Sequence, residues 1–202
     1  MTVDLIRRSQ HTALTRAAGG YIPHLSLDDV RAVAIAADQG RNGRRDKLMV
    51  QTLFDSCLRV SECISLRLKD LRENEHGWLV EVMGKGGKFG QAAVSPSLAL
   101  LLVDYAAGFQ PTDRFFPLDR SRVFQIIKAA MKRAGVRKPP GVGTVHVFRH
   151  SGAIERLRVT QHPRSLQDQL RHETHRTTLV YMRTLNIAES LAINQVVDNI
   201  WA

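Results

Sequence analysis

One hairpin-like stretch, set among helical patterns, constrains the fold more than any other feature of the sequence. Residues Trp78 to Met83 alternate in polarity, Gly84 to Gly90 are rich in glycine and lysine, and Gln91 to Val94 form a return segment. This pattern predicts two antiparallel strands joined by a flexible tip. Because apolar residues with helical spacing flank it on both sides, we expect a mainly α-helical fold with a small antiparallel β-sheet, an α+β fold.

Capping residues and apolar spacing predict the helices. Three helix starts are predicted from caps: Ser26 followed by Asp28 and Asp29, Ser95 followed by Pro96, and Thr144 before His146. Apolar spacing predicts a buried helix from Leu98 to Tyr105 and further helices from about Asp46 through Leu58, after Arg59 through Leu71, from Ser121 to Ala134, from Leu166 to His172 and from Ile187 to Val196.

The 202 residues suffice for one well-formed core. Residues 1–24 carry few apolar side chains and contain the pair Gly19-Gly20, so we expect a flexible N-terminal arm. Residues 25–184 are the expected folded domain. Residues 185–202 contain only Glu189 and Asp198 as charged groups and are otherwise rich in apolar side chains. We expect them to form a C-terminal helical tail that either docks on a neighbouring protomer or folds back on its own core.

The chain is strongly basic, with a formal net charge of +10 and a sequence pI near 10.3. Such a surplus is typical of proteins that bind nucleic acid, although charge alone could also serve solubility. Its clustering favours nucleic acid. The expected DNA contacts outside the catalytic set are Arg44, Arg45, Lys88, Lys132 and Arg133.

Cysteine content and hydropathy exclude some classes of protein. The two cysteines, Cys57 and Cys63, lie in apolar stretches and are expected to be buried free thiols. No apolar run approaches the roughly 20 residues needed to span a bilayer, and no signal peptide is evident, so we expect no membrane partner and a cytoplasmic location.

Two basic segments suit phosphate binding. Arg59 follows an apolar run, and a guanidinium can donate two parallel hydrogen bonds to phosphate oxygens; an ion pair with Glu62, three residues on, explains it equally well. Lys85 lies among glycines, where it could approach a phosphate and protonate a leaving alkoxide, or could belong to a solvated turn. The segment lacks the ending of a nucleotide-binding P-loop.

A histidine-rich segment follows further along the chain. His146 and Arg149 are three residues apart on a predicted helix, so both can face one phosphate. His146 and His150 could instead chelate a metal, with His172 and His175 as further ligands, but no HExxH pattern or carboxylate cluster accompanies them. We therefore expect no metal and no other cofactor.

Tyr181 is the candidate nucleophile, although a lone tyrosine of this kind is more often a half-buried aromatic. His172 precedes it by nine residues, which on one continuous helix would put the two on opposite faces. If both serve one site, the chain must bend between them, and His175-Arg176-Thr177-Thr178 is the expected place.

In this order, the motifs resemble those of the catalytic domain of the tyrosine recombinases, or phage integrases. The segments that carry the resemblance are Leu58-Arg59-Val60-Ser61-Glu62, Gly84-Lys85-Gly86-Gly87-Lys88, His146-Val147-Phe148-Arg149-His150, and Leu170-Arg171-His172 followed by Tyr181. They cover roughly Leu25 to Arg183. The sequence departs from the family at Cys57 and Arg171, where glycine is usual, and nothing before Leu25 is long enough for the family's separate core-binding domain.

The resemblance implies the family's DNA breaking-rejoining fold and its chemistry. Tyr181 would form a 3′-phosphotyrosyl bond with DNA. Arg59 and Arg149 would clamp the phosphate, and Glu62 would orient Arg59. His146 and His172 would assist as hydrogen-bond donors or proton carriers, and Lys85 would protonate the leaving oxygen. It further implies double-stranded DNA attachment sites, a tetramer on DNA and room for an accessory DNA-bending factor. A phage or mobile-element integrase is the leading expectation; an Xer-like or invertase-type recombinase, a type IB topoisomerase and a regulator with vestigial catalysis are the alternatives.

Overall fold

The computed structural model describes residues 22–84, 87, 89–171 and 178–185. The elements in chain order are α1 Leu27–Asp38, α2 Gly43–Asp55, α3 Val60–Ser65, a 3₁₀ turn Leu68–Asp70, β1 Leu71–Asn74, β2 Gly77–Met83, β3 Phe89–Val94, α4 Pro96–Tyr105, α5 Arg120–Arg133, α6 His146–Thr160, α7 Pro163–Leu170 and α8 over 178–185. The prediction of a mainly helical chain with a small antiparallel sheet is confirmed.

Two of the predicted helix starts are confirmed by their capping bonds. Ser26 Oγ accepts a hydrogen bond from Asp29 N–H at 3.1 Å, and the Asp29 carboxylate accepts one in return from the Ser26 backbone. At α4, Ser95 Oγ accepts from Leu98 N–H at 3.3 Å, and Pro96 occupies the first helical position. Both caps satisfy backbone donors that the first helical turn leaves without a partner.

The sheet has three antiparallel strands in the order β1-β2-β3. The predicted hairpin is β2 and β3, with Trp78 opposite Val94 and Met83 opposite Phe89. On one face the side chains of Val80 and Val94 are buried, so this face covers the core. Strand β1 was not predicted from the sequence; it pairs with β2 by placing Leu71 opposite Val80.

The predicted helical continuation through Leu71 is wrong. Helix α3 ends at Ser65, and Leu66 is already extended. From there the chain pairs with a distant segment: Phe115 N–H donates to Leu66 O at 3.0 Å, and Leu68 N–H donates to Asp113 O at 3.1 Å. These long-range bonds replace the helical ones, and Leu71 then enters β1.

Several boundaries differ from the prediction for local reasons. Helix α2 begins at Gly43, ahead of Asp46, and it ends at Asp55, so that Leu58 is buried in the following turn. Thr144 does not cap α6, whose N-cap is Val145 without a side-chain bond. Helix α7 ends at Leu170, short of His172, because the next residue, Arg171, is left-handed.

Helix α4 is half exposed, which corrects the prediction that it is buried. Leu98, Ala99 and Leu102 face the core, while Leu100 and Leu101 face outward. The helix packs mainly against α2 and β2, which cover the face that carries Leu98, Ala99 and Leu102. Its high apolar content therefore does not indicate burial all round.

Helix α2 lies at the centre of the fold, in contact with α1, α4 and α6. A second, smaller apolar cluster lies beside the main core and contains the Tyr181 ring. The other buried members of this cluster are Ile22, Cys57, Ala153, Ile154, Leu157, Leu166 and Leu170. Because these residues come from α6, α7, α8, the turn after α2 and the segment before α1, the cluster brings together the elements that carry the candidate site.

The segment 22–25, at the end of the predicted arm, is packed on the domain. Ile22 is buried, and its N–H donates to Thr184 Oγ1 at 2.8 Å. Leu25 N–H donates to Ser151 Oγ on α6, also at 2.8 Å. This segment therefore connects α6 to α8 beside the candidate site.

The prediction of buried free thiols is confirmed for Cys57 and Cys63. Among the described residues, no helix is both long enough and apolar enough to cross a membrane.

Candidate active site

The turn between α2 and α3 places Arg59 at the mouth of the site. Arg59 is the N-cap residue of α3, and its backbone is extended. Its Nη1 donates to Glu62 Oε1 at 2.8 Å, and its backbone N–H donates to Glu62 Oε2 at 2.7 Å. The predicted ion pair is therefore present, yet the Arg59 side chain stays 42% exposed and lines a cavity, so the ion pair and a phosphate-binding role are compatible.

Arg149 is buried, with its side chain only 3% exposed. Its Nη1 donates to Cys57 O, and its Nη2 donates to Leu170 O at 2.9 Å. Burial, with the nearby Arg59 charge, lowers the pKa of Arg149 to about 10, so the guanidinium stays charged at neutral pH. Two backbone carbonyls from different elements thus fix the direction of this group.

Glu62 connects three arginines of the site. Besides Arg59, it accepts a hydrogen bond from Arg171 Nη2 at 2.6 Å and lies 4.0 Å from Arg149 Nη1. Burial raises the pKa of Glu62, but the Arg59 backbone bond and the guanidinium groups of Arg171 and Arg59 outweigh it, so the pKa is lowered on balance. The carboxylate therefore stays ionised, and three guanidinium groups around it leave a positive surplus suited to a phosphate.

Two non-glycine residues next to the site have left-handed backbones. Cys57 and Arg171 both have φ of 53°. A left-handed backbone favours glycine because it brings Cβ close to the following carbonyl. These are the two positions at which the sequence departs from the usual family glycine, and the structure gives the physical reason for that preference. At Arg171 the side chain reaches Glu62, a contact that glycine could not make.

Two histidines on one face of α6 line the same cavity. His146 and His150 are four residues apart, and their ring centroids lie 4.5 Å from each other. Burial, together with Arg149 and Arg59, lowers the pKa of His146 below its usual range, which favours the neutral imidazole. His150 Nδ1 lies 2.8 Å from the hydroxyl oxygen of Tyr181.

Tyr181 lies on α8 with its ring in the smaller apolar cluster, and the residue is only 3% exposed. Burial raises the pKa of Tyr181 to about 12, with Arg149 and Arg59 opposing the shift. The phenol is therefore protonated at neutral pH. The ring packs as an ordinary core aromatic would, while the hydroxyl is in contact with His150 beside the arginines.

A cavity of about 260 Å³ brings most of the predicted site together. The lining residues are Ile22, Arg59, His146, Arg149, His150, Val180 and Tyr181. Four of the six residues in the predicted catalytic set, from α6, α8 and the turn before α3, thus share one cavity. The other two, Lys85 and His172, lie outside the described residues, as do Lys88 and residues 175–177 of the predicted bend.

Metal binding gains no geometric support from the part of the chain that is described. Within it, no group of three or more His, Cys, Asp or Glu side chains is placed to share an ion. His150, one of the ligands considered in that alternative, is bonded to Tyr181.

Of the other predicted DNA contacts, the four that the structure describes do not line this cavity. Arg44 pairs with Asp104, and Arg45 pairs with Asp46 at 2.8 Å. Both arginines belong to the start of α2, roughly 15–17 Å along the axis from the end that leads to Arg59. Their DNA contacts, like that of Lys132, which is exposed, stay predictions.

Arg133 has a contact within the fold. Its Nε and Nη2 donate to Ala36 O at 3.0 and 2.8 Å, connecting α5 to α1. A DNA contact for this residue also stays a prediction.

Sequence reasoning missed two residues of the site. Arg171 was noted only as a departure from glycine, and its contact with Glu62 spans 109 residues, so no local spacing could reveal it. His150 was considered only as a metal ligand. Its spacing of four from His146 was a usable signal, since it places both on one helix face.

The chain is similar to known proteins in sequence. A family model described as "Phage integrase family" matches residues 24–186. Among curated relatives, a tyrosine recombinase XerD of Listeria monocytogenes is 30% identical over 172 residues, 78% of this chain and 56% of the relative. A tyrosine recombinase of Pseudothermotoga lettingae is 31% identical over 161 residues, which are 77% of this chain and 55% of the relative. The chain thus spans about half the length of the curated relatives it matches.

Solved structures share the fold. The XerH site-specific recombinase in a post-cleavage complex with palindromic difH substrate superposes with a TM-score of 0.71 at 19% identity, covering 89% of this chain and 56% of that one. The catalytic domain of bacteriophage HP1 integrase superposes with a TM-score of 0.65 at 21% identity, and the match covers 81% of this chain and 88% of that one. The fold is therefore that of tyrosine recombinase catalytic domains.

Proposed function

This chain belongs to the phage integrase family, and we propose that it is a site-specific recombinase that cleaves and rejoins double-stranded DNA through a 3′-phosphotyrosyl intermediate. One observation carries the proposal: the Tyr181 hydroxyl lies beside a cavity lined by Arg59 and Arg149. A nucleophile next to two phosphate-binding groups is what a phosphoryl transfer through tyrosine requires.

The arginines bind and stabilise the phosphate. Arg59 and Arg149 donate to its nonbridging oxygens, where charge develops in the transition state. Arg149 is held in place by Cys57 O and Leu170 O, which lowers the cost of organising it when DNA binds. Arg59, which is more exposed, provides the outer side of the clamp.

Glu62 positions the clamp without touching the phosphate. Its two oxygens are occupied by Arg59 and Arg171, so it fixes the distance between cationic groups that would otherwise repel each other. Within the proposal, His146 donates a hydrogen bond to the phosphate, His172 assists, and Lys85 protonates the leaving 5′-oxygen.

Covalent capture conserves the energy of the phosphodiester bond, so the reaction needs neither ATP nor a metal ion. The protein partner we propose is a second copy of the chain, in a tetramer on two DNA sites, with residues 185–202 as the docking segment. An accessory DNA-bending factor and a cytoplasmic location complete the proposal; both come from the sequence expectations.

The biological outcome has two candidates. Integration of a phage or mobile element is the first. An Xer-like role is the second, favoured by relatives that are named tyrosine recombinase XerD and are 30% identical to this chain. A recombination assay with paired sites on one molecule or on two molecules separates deletion or inversion from integration.

Trapping on a suicide DNA substrate in EDTA tests the chemistry. The substrate carries a nick next to the scissile phosphate, so cleavage releases a short fragment and religation stops. We expect a covalent protein–DNA adduct that survives denaturation and is absent in Tyr181→Phe. Arg59→Ala should keep much of the DNA binding and lose the adduct, because other basic residues supply the nonspecific affinity.

Three results would contradict the proposal or redirect it. Metal-dependent cleavage without an adduct would overturn the phosphotyrosyl chemistry. DNA binding without cleavage by the wild type would favour the regulator. An adduct accompanied by relaxation of supercoiled plasmid, with no strand exchange between sites, would favour a type IB topoisomerase.

A further inference from the structure

The hydroxyl of the proposed nucleophile has a hydrogen-bond partner that the preceding mechanism does not use. His150 Nδ1 lies 2.8 Å from Tyr181 Oη, and the two ring centroids are 5.7 Å apart. When the imidazole is neutral with its proton on Nε2, Nδ1 is an acceptor and the phenol donates to it. The bond therefore has the geometry of a proton transfer from Tyr181 to His150.

Tyr181 needs such an acceptor because its phenol is protonated near neutral pH. Burial raises the pKa of Tyr181 to about 12, so the free phenolate is scarce. The arginines beside it cannot take up a proton. Glu62 already accepts hydrogen bonds at both oxygens, from Arg59 Nη1 at Oε1 and from Arg171 Nη2 at Oε2.

The position of His150 on α6 follows from helix geometry. It lies one residue after Arg149, whose guanidinium is fixed by two backbone carbonyls, and four residues after His146. One helix therefore presents a phosphate-binding arginine and an imidazole to the same cavity. His146, at the first residue of α6, lies at the exposed edge, where a bond to a phosphate oxygen is accessible.

We propose that His150 is the base that accepts the Tyr181 proton during strand cleavage and returns it during religation. The inference rests on the proposed recombinase function and names a residue of that same site. As the Tyr181 oxygen forms its bond to phosphorus, the phenolic proton moves to His150 Nδ1 and the bond from phosphorus to the 5′-oxygen breaks. A separate acid, Lys85 in the proposal, protonates the leaving oxygen.

Religation runs through the same groups in reverse. The attacking 5′-hydroxyl loses its proton to the group that protonated it, the phosphotyrosyl bond breaks, and the Tyr181 oxygen recovers its proton from His150. The imidazole thus carries the proton for the lifetime of the covalent intermediate. The bound phosphate, which brings negative charge into a cavity lined by arginines, compensates for the additional positive charge on His150.

The elements that line the cavity together with His150 carry the following charged and titratable groups. His146 and Arg149 are on α6, Tyr181 is on α8, and Arg59 is at the start of α3. On segment 22–25 the titratable group is His24, whose Nδ1 is hydrogen-bonded with Ile22 O at 2.9 Å.

The first experiment compares His150→Asn and His150→Gln with the wild type in single-turnover adduct formation. Asparagine can keep a polar atom near the Nδ1 position but cannot accept a proton, so both variants should be roughly 10²–10⁴-fold slower, the usual contribution of a general base. His76→Asn, a substitution in the exposed turn after β1, is the matched control and should react at the wild-type rate. Circular dichroism and DNA binding establish that the variants fold.

The second experiment replaces Tyr181 by 3,5-difluorotyrosine, whose phenol is more acidic. This replacement should restore much of the rate in His150→Gln, since a more acidic nucleophile depends less on a base. In the same variant, the rate with unmodified Tyr181 should rise about tenfold per pH unit, as expected when hydroxide replaces the imidazole. A substrate with sulfur in place of the leaving 5′-oxygen releases a thiolate, which leaves without a general acid. With this substrate, His150→Gln should remain as slow relative to the wild type as with the ordinary substrate.

Distinct outcomes separate failure of the inference from failure of the proposed function. If the wild type forms no adduct, the recombinase proposal fails. If the wild type reacts but His150→Asn is as fast, or if the sulfur substrate rescues His150→Gln while difluorotyrosine does not, His150 is not the base.

Discussion

At the scale of single residues, the site depends on how the cationic side chains are kept apart. Arg59, Arg149 and Arg171 approach one cavity, and repulsion between them is offset by the single carboxylate of Glu62. Because Glu62 is only 3% exposed, its contacts are less screened by solvent than those of a surface pair. Its loss would leave buried guanidinium groups without compensation, which is more costly than loss of a surface ion pair.

Replacing Glu62 by glutamine should lower stability in a pH-dependent way. Its pKa is lower in the folded chain than the ordinary value of about 4.3, so ionised Glu62 contributes stability that is fully present above that pH. This contribution is lost as pH falls through the lowered pKa. Urea unfolding should show Glu62→Gln roughly 2–4 kcal/mol less stable at pH 7, with the difference shrinking below about pH 4.

Glu73→Gln, on the exposed part of β1, is the control for that series. It should differ little from the wild type at any pH. A difference for Glu62→Gln that stays constant down to pH 3 would show that the carboxylate is not ionised in the folded chain.

Two substitutions at Arg171 separate the backbone strain of its left-handed conformation from its side-chain contact with Glu62. Arg171→Gly and Arg171→Ala both remove the bond to Glu62, so both should slow adduct formation to the same extent. The glycine variant should be more stable than the alanine variant by about 1 kcal/mol, because only alanine is strained at φ of 53°. Denaturant unfolding measures the difference.

Gln161 provides the matched control. It has φ of 52° at the exposed end of α6, so Gln161→Gly and Gln161→Ala should show the same difference in stability with no effect on cleavage. Equal stability of the glycine and alanine variants at position 171 would contradict the left-handed assignment.

At the scale of secondary-structure elements, the close approach of α6 to the end of α2 sets the position of the catalytic groups. A Cβ atom added at Gly152 would lie 1.9 Å from Phe54 O and 3.0 Å from Cys57 Sγ. The same contact region contains the Cys57 carbonyl that accepts a bond from Arg149. The absence of a side chain at Gly152 therefore keeps Arg149 within reach of the turn after α2.

Gly152→Ala should disturb both stability and activity. Because the closest atom is backbone, the helices must separate, at a cost of roughly 1–3 kcal/mol, and adduct formation should fall as Arg149 moves. Gly143→Ala is the matched control, since its Cβ would be 3.7 Å from His146 Cβ, an ordinary contact. Unchanged urea unfolding of Gly152→Ala would contradict the packing described.

Elements with local signals were predictable from the sequence, and those that depend on distant partners were not. Ser26 and Ser95 cap the helices that their spacing predicts, because a cap is complete within four residues. Strand β1 was missed because Leu66 and Leu68 bond to a segment some 45 residues away, which overrides their helical spacing. Likewise the cavity contains the predicted residues, while Arg171 reaches Glu62 only through the tertiary fold.

At the scale of the whole molecule, the basic side chains behind the net charge of +10 differ in whether they also make contacts within the fold. Neighbouring residues at the end of α5 illustrate this. Both side chains are exposed, but Arg133 also donates to Ala36 O on α1. Part of the positive charge therefore also serves contacts within the fold.

These two neighbours should respond differently to substitution. If Lys132 contacts a phosphate, Lys132→Ala should weaken DNA binding and reduce the slope of log affinity against log salt by about 1. Arg133→Ala should in addition lower the free energy of unfolding by about 1 kcal/mol, because it removes the hydrogen bonds to Ala36 O. An unchanged slope in Lys132→Ala would remove this residue from the DNA interface.

The identity of the DNA-linked residue tests the central claim most directly. The chain has three tyrosines, Tyr21, Tyr105 and Tyr181. After trapping on the suicide substrate in EDTA, digestion with trypsin and nuclease, followed by tandem mass spectrometry, locates the attached nucleotide. We expect a modified peptide spanning residues 177–183, with the nucleotide on Tyr181 through its 3′-phosphate. Attachment at another residue, or through a 5′-phosphate, would contradict the central claim.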